Sequence, residues 1–196
     1  MIDNPLRKKS YPIGSRVAKA LLLIRFKPNT WSVLGLPFAL LAAYFLYLQD
    51  YPKALVFVLV AALCDYLDGT MAKVSGQITK FGNYLDAMMD RIVEIIIFFG
   101  FAFYYPMPSF FAISGSLLMS YSKARAAMLV KIGNRDVPAI GERADRMILL
   151  MVGMLLAIFL PKIYGYDTLA ILLVLIGLMS YIGTLQRFIR VQKVLR

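Results

Sequence analysis

Asp65-Tyr66-Leu67-Asp68-Gly69-Thr70-Met71-Ala72-Lys73 is followed, eight residues on, by Gly82-Asn83-Tyr84-Leu85-Asp86-Ala87-Met88-Met89-Asp90. Four aspartates therefore lie inside two long apolar runs, Lys53–Val74 and Phe81–Phe103, with Glu94 deeper in the second. A charged group at the centre of a bilayer costs roughly 2.5–3.5 kcal/mol on insertion scales. Such acids must face water, cations or one another. Asp65 and Asp68 are three apart and share a helix face; Gly82, Asp86 and Asp90 are four apart and share another. The link between the runs is short, which predicts antiparallel neighbouring helices whose aspartates converge near one end. Carboxylates this close repel unless a divalent cation neutralises them. An oxygen-only donor set selects Mg²⁺, Mn²⁺ or Ca²⁺ over zinc. Gly69 and Gly82 either let helices pack closely or let a bulky ligand approach the backbone. Cys64, beside Asp65, reads as a small packing residue.

Outward from this stretch the chain stays apolar. Of its 196 residues 60% are hydrophobic and 17% charged, against about 45–50% and about 25% in soluble domains. That argues against a water-soluble globule and excludes a disordered chain. A single cysteine forms no internal disulfide, and the absence of histidine removes the commonest zinc ligand and general base. Apolar runs near Trp31–Leu48, Lys53–Val74, Phe81–Phe103, Phe110–Val130, Met147–Leu160 and Leu169–Phe188 are each read as a membrane span of about 20 residues. The fifth is short unless extended back over Arg143–Arg146. The first run continues as a full span rather than reading as a cleaved leader.

Ahead of it, Val17, Ala20, Leu21 and Ile24 share a helical face while Arg16, Lys19 and Arg25 lie elsewhere. This predicts an interfacial amphipathic helix over residues 11–26, ended by Pro28. The expected fold is an all-α membrane protein: an N-terminal interfacial helix and six transmembrane helices, with the bundle over 31–192 in a single domain spanning 1–196. Tyr104, Tyr105, Tyr164 and Tyr166 are placed at the far interface.

The net charge of +11 is one-sided. Nineteen of the 22 Lys and Arg fall on the side of the N-terminus, Lys53 and Lys162 on the other, and Arg91 within a span. The positive-inside rule places both termini and the aspartates in the cytoplasm of a multi-pass cell-membrane protein. A collar of this kind orients the helices and touches anionic headgroups, and argues against nucleic acid as a partner.

The aspartate stretch resembles the signature of the CDP-alcohol phosphotransferases, D-x₂-D-G-x₂-A-R-x₈-G-x₃-D-x₃-D. All spacings match, with Lys73 in place of the usual Arg, which keeps the charge but loses the planar fork. Six spans and an interfacial helix also fit that family. The resemblance implies transfer of a phosphoryl-linked lipid group from a CDP-lipid donor to an acceptor hydroxyl, with release of CMP. It implies that Asp65, Asp68 and Asp86 bind two divalent cations, Mg²⁺ or Mn²⁺, per protomer, with Asp90 near the metals. Asp90 is then the catalytic base or a fourth metal ligand. It places Asn29 and Ser32, in Pro28-Asn29-Thr30-Trp31-Ser32, near the CDP-lipid with Asp68, Gly69, Lys73 and Gly82. Without the resemblance, Pro28-Asn29 reads as a helix start. A homodimer is implied as well.

A second set of segments concerns the acceptor: Ser120-Tyr121-Ser122-Lys123-Ala124-Arg125-Ala126, Gly141-Glu142-Arg143-Ala144-Asp145-Arg146, and Gln186-Arg187. Lys123, Arg143 and Arg187 come from three helices at similar depth and can bind a phosphomonoester by charge-assisted hydrogen bonds. These segments are similar to those of phosphatidylinositol-phosphate synthases, which implies a phosphorylated polyol acceptor, inositol 1-phosphate. The competing reading is orientation charge with Arg143–Asp145 or Arg146–Glu142 pairs. Glycerol 3-phosphate is the rival acceptor. A divalent-cation transporter is the rival from another class; it predicts acids distributed along a path, whereas these cluster at one end. Glu94 extends the Asp86–Asp90 stripe by one turn, with Arg91 as a candidate partner.

Overall fold

The computed structural model describes residues 28–76, 79–129 and 139–195. The interfacial helix expected over 11–26 lies outside them, as do the side chains of Asn29, Ser32 and Lys73. Six helices follow one another: α1 Pro28–Tyr47, α2 Tyr51–Val74, α3 Lys80–Ala102, α4 Pro106–Leu129, α5 Arg143–Phe159 and α6 Thr168–Leu195. A two-residue-per-strand hairpin, β1 Lys162–Ile163 and β2 Tyr166–Asp167, sits between α5 and α6. The expected all-α architecture is observed, and the hairpin is an addition to it. Its turn residues Tyr164 and Gly165 both have positive φ, 50° and 85°, the backbone a two-residue antiparallel turn requires.

The helix ends follow from local chemistry. Gln49 adopts φ 58°, and the Asp50 and Gln49 N–H groups donate back to Phe45 O and Leu46 O at 2.9 and 3.0 Å, closing α1 with a Schellman arrangement. Asp50 then caps α2 by accepting from Lys53 N at 3.2 Å and pairs with Lys53 Nζ at 2.6 Å. The side-chain bond from Lys53, then its backbone N–H, hold the Asp50 carboxyl below its ordinary value. At the other end of the bundle Thr79 caps α3, accepting from Gly82 N at 2.9 Å. Asp145 accepts from Glu142 N at 3.1 Å at the start of α5, as in a capping box.

Two helices, over Tyr51–Met71 and Thr168–Leu195, are long and apolar enough on their own to cross a membrane. The other expected spans carry the polar residues of the site, or are short: α3 holds Asp86, Asp90, Arg91 and Glu94, and α5 has 17 residues. The outward surface is nonetheless apolar. Leu59, Phe99, Phe110, Val152, Phe159 and Leu185 are all exposed, as lipid-facing side chains would be.

Packing departs from the sequence expectation in one respect. The consecutive helices α2 and α3 scarcely touch; α1 lies against both and wedges them apart. Ala39, Ala42 and Leu46 of α1 are buried there with Val58 of α2 and Ile97 and Phe101 of α3. Approach is closest at Gly100, where a Cβ would lie 2.7 Å from Ala43 Cα. In the other half α4 packs on α6, while α5 lies against α6 and α2. The wedge leaves a cleft between the ends of α2 and α3 that α5 overhangs.

Candidate active site

That cleft is lined by Gly35, Ala61, Asp65, Asp68, Asp86, Met89, Asp90, Val93 and Arg143. Asp65 and Asp68 project from one face of α2, Asp86 and Asp90 from one face of α3, as their spacing requires. Carboxylate oxygens of Asp65, Asp68 and Asp86 lie within 4.8 Å of one another. Asp68 is buried and the other two half-buried. Three carboxylates at this separation, in a cleft walled by apolar residues, fit a hard divalent cation by the chemistry of their donors. Asp90 is one turn further along α3, and its Oδ1 lies 2.5 Å from Arg143 NH1. The same guanidinium nitrogen donates to Asp65 Oδ1 at 3.0 Å. Gly69 is half-buried, and the Gly82 N–H serves the Thr79 cap.

The three basic residues expected to hold an acceptor phosphate divide into two groups. Lys123 from α4 and Arg187 from α6 converge, and both meet Glu142: Lys123 Nζ lies 2.5 Å from Glu142 Oε2, and Arg187 NH2 donates to Glu142 Oε1. The Arg187 side chain is 2% exposed, and its NH1 also donates to Met119 O at 3.0 Å. Arg143, the next residue after Glu142, turns the other way and joins the aspartates. Neither competing pair is formed. Arg143 bonds Asp65 and Asp90 rather than Asp145, and Arg146 bonds Glu94 rather than Glu142.

Two pairings around the cleft escaped the sequence reading. Glu142 is the carboxylate on which Lys123 and Arg187 meet. Glu94 forms a bidentate ion pair with Arg146 Nε and NH2, at 2.6 and 2.8 Å, with side chains 2% and 1% exposed. Arg91, its candidate partner, donates instead to the Ala87 carbonyl of its own helix. The signal available was the position of Glu94 one turn beyond Asp90; its partner, 52 residues away, left no trace in local spacing. A larger cavity of about 410 Å³, lined by Gln49, Tyr51, Tyr105, Ala157, Pro161, Asp167 and Leu169, has one carboxylate and no basic group. It cannot match a metal–diphosphate.

An all-helical bundle with an apolar outer surface and a cleft lined by four aspartates and Arg143 fits a membrane protein that handles an anionic group together with a divalent cation. Residues 25–191 match the CDP-alcohol phosphatidyltransferase family, and the chain belongs to that family. It is a CDP-alcohol phosphotransferase of phospholipid synthesis, which sets aside the transporter alternative.

Among similar proteins is an archaetidylinositol phosphate synthase of Pyrococcus horikoshii, 31% identical over 98% of this chain and 97% of that one. A phosphatidylinositol phosphate synthase of Mycobacteroides abscessus is 30% identical over 72% of this chain and 67% of that protein. The phosphatidylinositol phosphate synthase of Mycobacterium tuberculosis, solved with CDP-DAG bound, superposes with a TM-score of 0.77 at 27% identity, covering 92% of this chain and 94% of that one. The same enzyme in complex with manganese and citrate gives a TM-score of 0.76 at 25% identity, covering 91% and 88%.

Proposed function

We propose that this protein transfers the phosphatidyl-type group of a CDP-lipid to the hydroxyl of inositol 1-phosphate, releasing CMP. The observation that carries the reading is the continuity of Glu142 and Arg143. Glu142 gathers Lys123 and Arg187, and Arg143 reaches Asp90 and Asp65. Phosphate-binding cations are thereby joined to the carboxylate cluster within two residues of chain. Full-length similarity to an archaetidylinositol phosphate synthase supports the choice of acceptor.

Asp65, Asp68 and Asp86 hold the metal, as two cations per protomer. Divalent cations held there would neutralise the donor diphosphate and the charge that develops on departing CMP. Asp90 accepts the proton of the acceptor hydroxyl. That oxygen attacks the lipid-linked phosphorus, and the phosphorus–oxygen bond to CMP breaks. Lys123 and Arg187, gathered on Glu142, and Arg143, reaching in from the aspartate side, hold the acceptor phosphate between them so that the hydroxyl lies beside Asp90, and proximity offsets the weak basicity of a carboxylate. Asn29, Ser32, Gly69, Lys73 and Gly82, with Asp68, line the donor side. The site and both termini face the cytoplasm, and the chain acts as one membrane domain in a homodimer.

The test is CMP release from CDP-lipid by the purified protein with Mg²⁺ or Mn²⁺. Inositol 1-phosphate, glycerol 3-phosphate and serine are supplied in parallel. Release with inositol 1-phosphate alone is expected. Release with glycerol 3-phosphate alone would keep the aspartate chemistry and discard the acceptor, and release with serine alone would discard the phosphate site.

A further inference from the structure

The metal-holding carboxylates stand directly on α2 and α3. The acceptor cations come from three other helices, so their register depends on something that ties those helices together. Residues 140–143 make that tie. Ile140 N donates to Gln186 Oε1 on α6 at 3.2 Å, Glu142 reaches α4 and α6, and Arg143 reaches α2 and α3. The backbone in the middle of this segment is held at one carbonyl: Arg146 NH1 donates to Gly141 O at 2.5 Å. Gly141 has φ 84°, and a Cβ there would meet Met179 O at 2.8 Å, so the segment turns in a conformation that other residues rarely adopt.

Arg146 is in turn oriented by Glu94, two parallel bonds fixing the guanidinium plane and leaving NH1 aimed at Gly141 O. A bidentate carboxylate–guanidinium pair fixes direction as well as distance. Burial also makes departure of either partner costly. Glu94 lies on the helix that carries Asp86 and Asp90. The pair thus connects the helix bearing the proposed base to the backbone that bears Arg143 and Glu142, the carboxylate on which Lys123 and Arg187 meet.

We propose that Glu94 and Arg146 are positioning residues for the acceptor half of the site. They set the Gly141 carbonyl, and through it Glu142 and Arg143, relative to Asp90. This rests on the assignment of Lys123, Arg143 and Arg187 to the acceptor phosphate. Neither Glu94 nor Arg146 lines the cleft; loss of the pair lets the segment shift, and the acceptor binds in the wrong place.

The experiment compares wild type with Glu94→Gln and with a double variant, Glu94→Met with Arg146→Met. The double variant replaces the buried ion pair by an apolar pair, a change that is often neutral or stabilising, but it removes the donor to Gly141 O. Three quantities are read in nanodiscs: Mn²⁺ affinity, KM for CDP-lipid, and KM for the acceptor. The wild type is first assayed with inositol 1-phosphate and glycerol 3-phosphate, and whichever supports CMP release is used thereafter. Acceptor KM is expected to rise about tenfold or more in both variants, while Mn²⁺ affinity and CDP-lipid KM stay within about twofold.

An unchanged acceptor KM in a folded variant overturns the proposal. So does an equal loss in all three quantities, or failure of both variants to fold, because either outcome makes the pair a stability element alone. A wild type that uses neither phosphorylated acceptor overturns the acceptor reading and this proposal with it. Use of glycerol 3-phosphate overturns only the choice of inositol 1-phosphate, and the KM comparison still decides the role of Glu94 and Arg146.

Discussion

Gly183→Ala places a methyl group at the point where α6 meets the segment that carries Glu142 and Arg143. A Cβ on Gly183 would lie 1.8 Å from Ile140 O. An ordinary carbon–oxygen contact is about 3.3 Å, so the carbonyl and the helix must part by about 1.5 Å. Overpacking of this kind costs about 1–3 kcal/mol. The displacement falls within three residues of both Glu142 and Arg143. Misplacement of a positioning group by about 1 Å can lower turnover by about a hundredfold.

Gly100→Ala is the comparison. Its Cβ would meet Ala43 Cα at 2.7 Å between α1 and α3, with a similar expected loss of stability. It lies ten residues beyond Asp90 on α3, about 15 Å along the helix. Thermal unfolding in detergent and steady-state CMP release are measured for both variants. Both are expected to lower Tm, but only Gly183→Ala should raise acceptor KM sharply. Wild-type Tm and KM for Gly183→Ala would refute the close contact. Equal kinetic losses in the two variants would refute the claim that residues 140–143 set the acceptor site.

Asp65→Asn, Asp68→Asn and Asp86→Asn should each abolish turnover in a protein that still inserts and purifies, with Mn²⁺ affinity lowered by at least about tenfold; full turnover in any of them would remove that residue from the metal site. Asp90→Asn should eliminate CMP release while Mn²⁺ and CDP-lipid binding persist; loss of metal binding would make it a ligand. Arg143→Ala should act chiefly on acceptor KM, and an unchanged value would take Arg143 out of that site. Chelation with EDTA should stop turnover and Mn²⁺ should restore it; activity that survives exhaustive chelation would contradict the carboxylate assignment.

Apolar runs and the aspartate stripe were legible in the chain alone because both rest on local physics. A carboxylate in hydrocarbon is costly, so Asp65, Asp68, Asp86 and Asp90 had to share a polar site, and helical periodicity dictated which of them share faces. The same reasoning yielded six helices and a divalent-cation site of oxygen ligands. Whether α2 and α3 pack together is not a local matter. Ala39 and Ala42 let α1 come close, and the fit of its surface against both neighbours decided that it wedges between them.

Partnership among the charges was likewise beyond sequence. Arg143 could meet Asp145 two residues away on its own helix or Asp65 at a separation of 78 residues; charge alone does not choose. The cap at the start of α5 occupied Asp145 with the Glu142 N–H, and the approach of α5 to α2 and α3 brought Asp65 and Asp90 within reach. Glu94 found Arg146 and not Arg91, because Arg91 satisfies the Ala87 carbonyl on its own helix while Arg146 enters the buried space facing Glu94. Composition and periodicity thus determined which groups the membrane forces together at one end of the bundle. Tertiary packing decided which of them touch, because an ion pair across helices depends on the relative placement of backbones that no short-range pattern encodes.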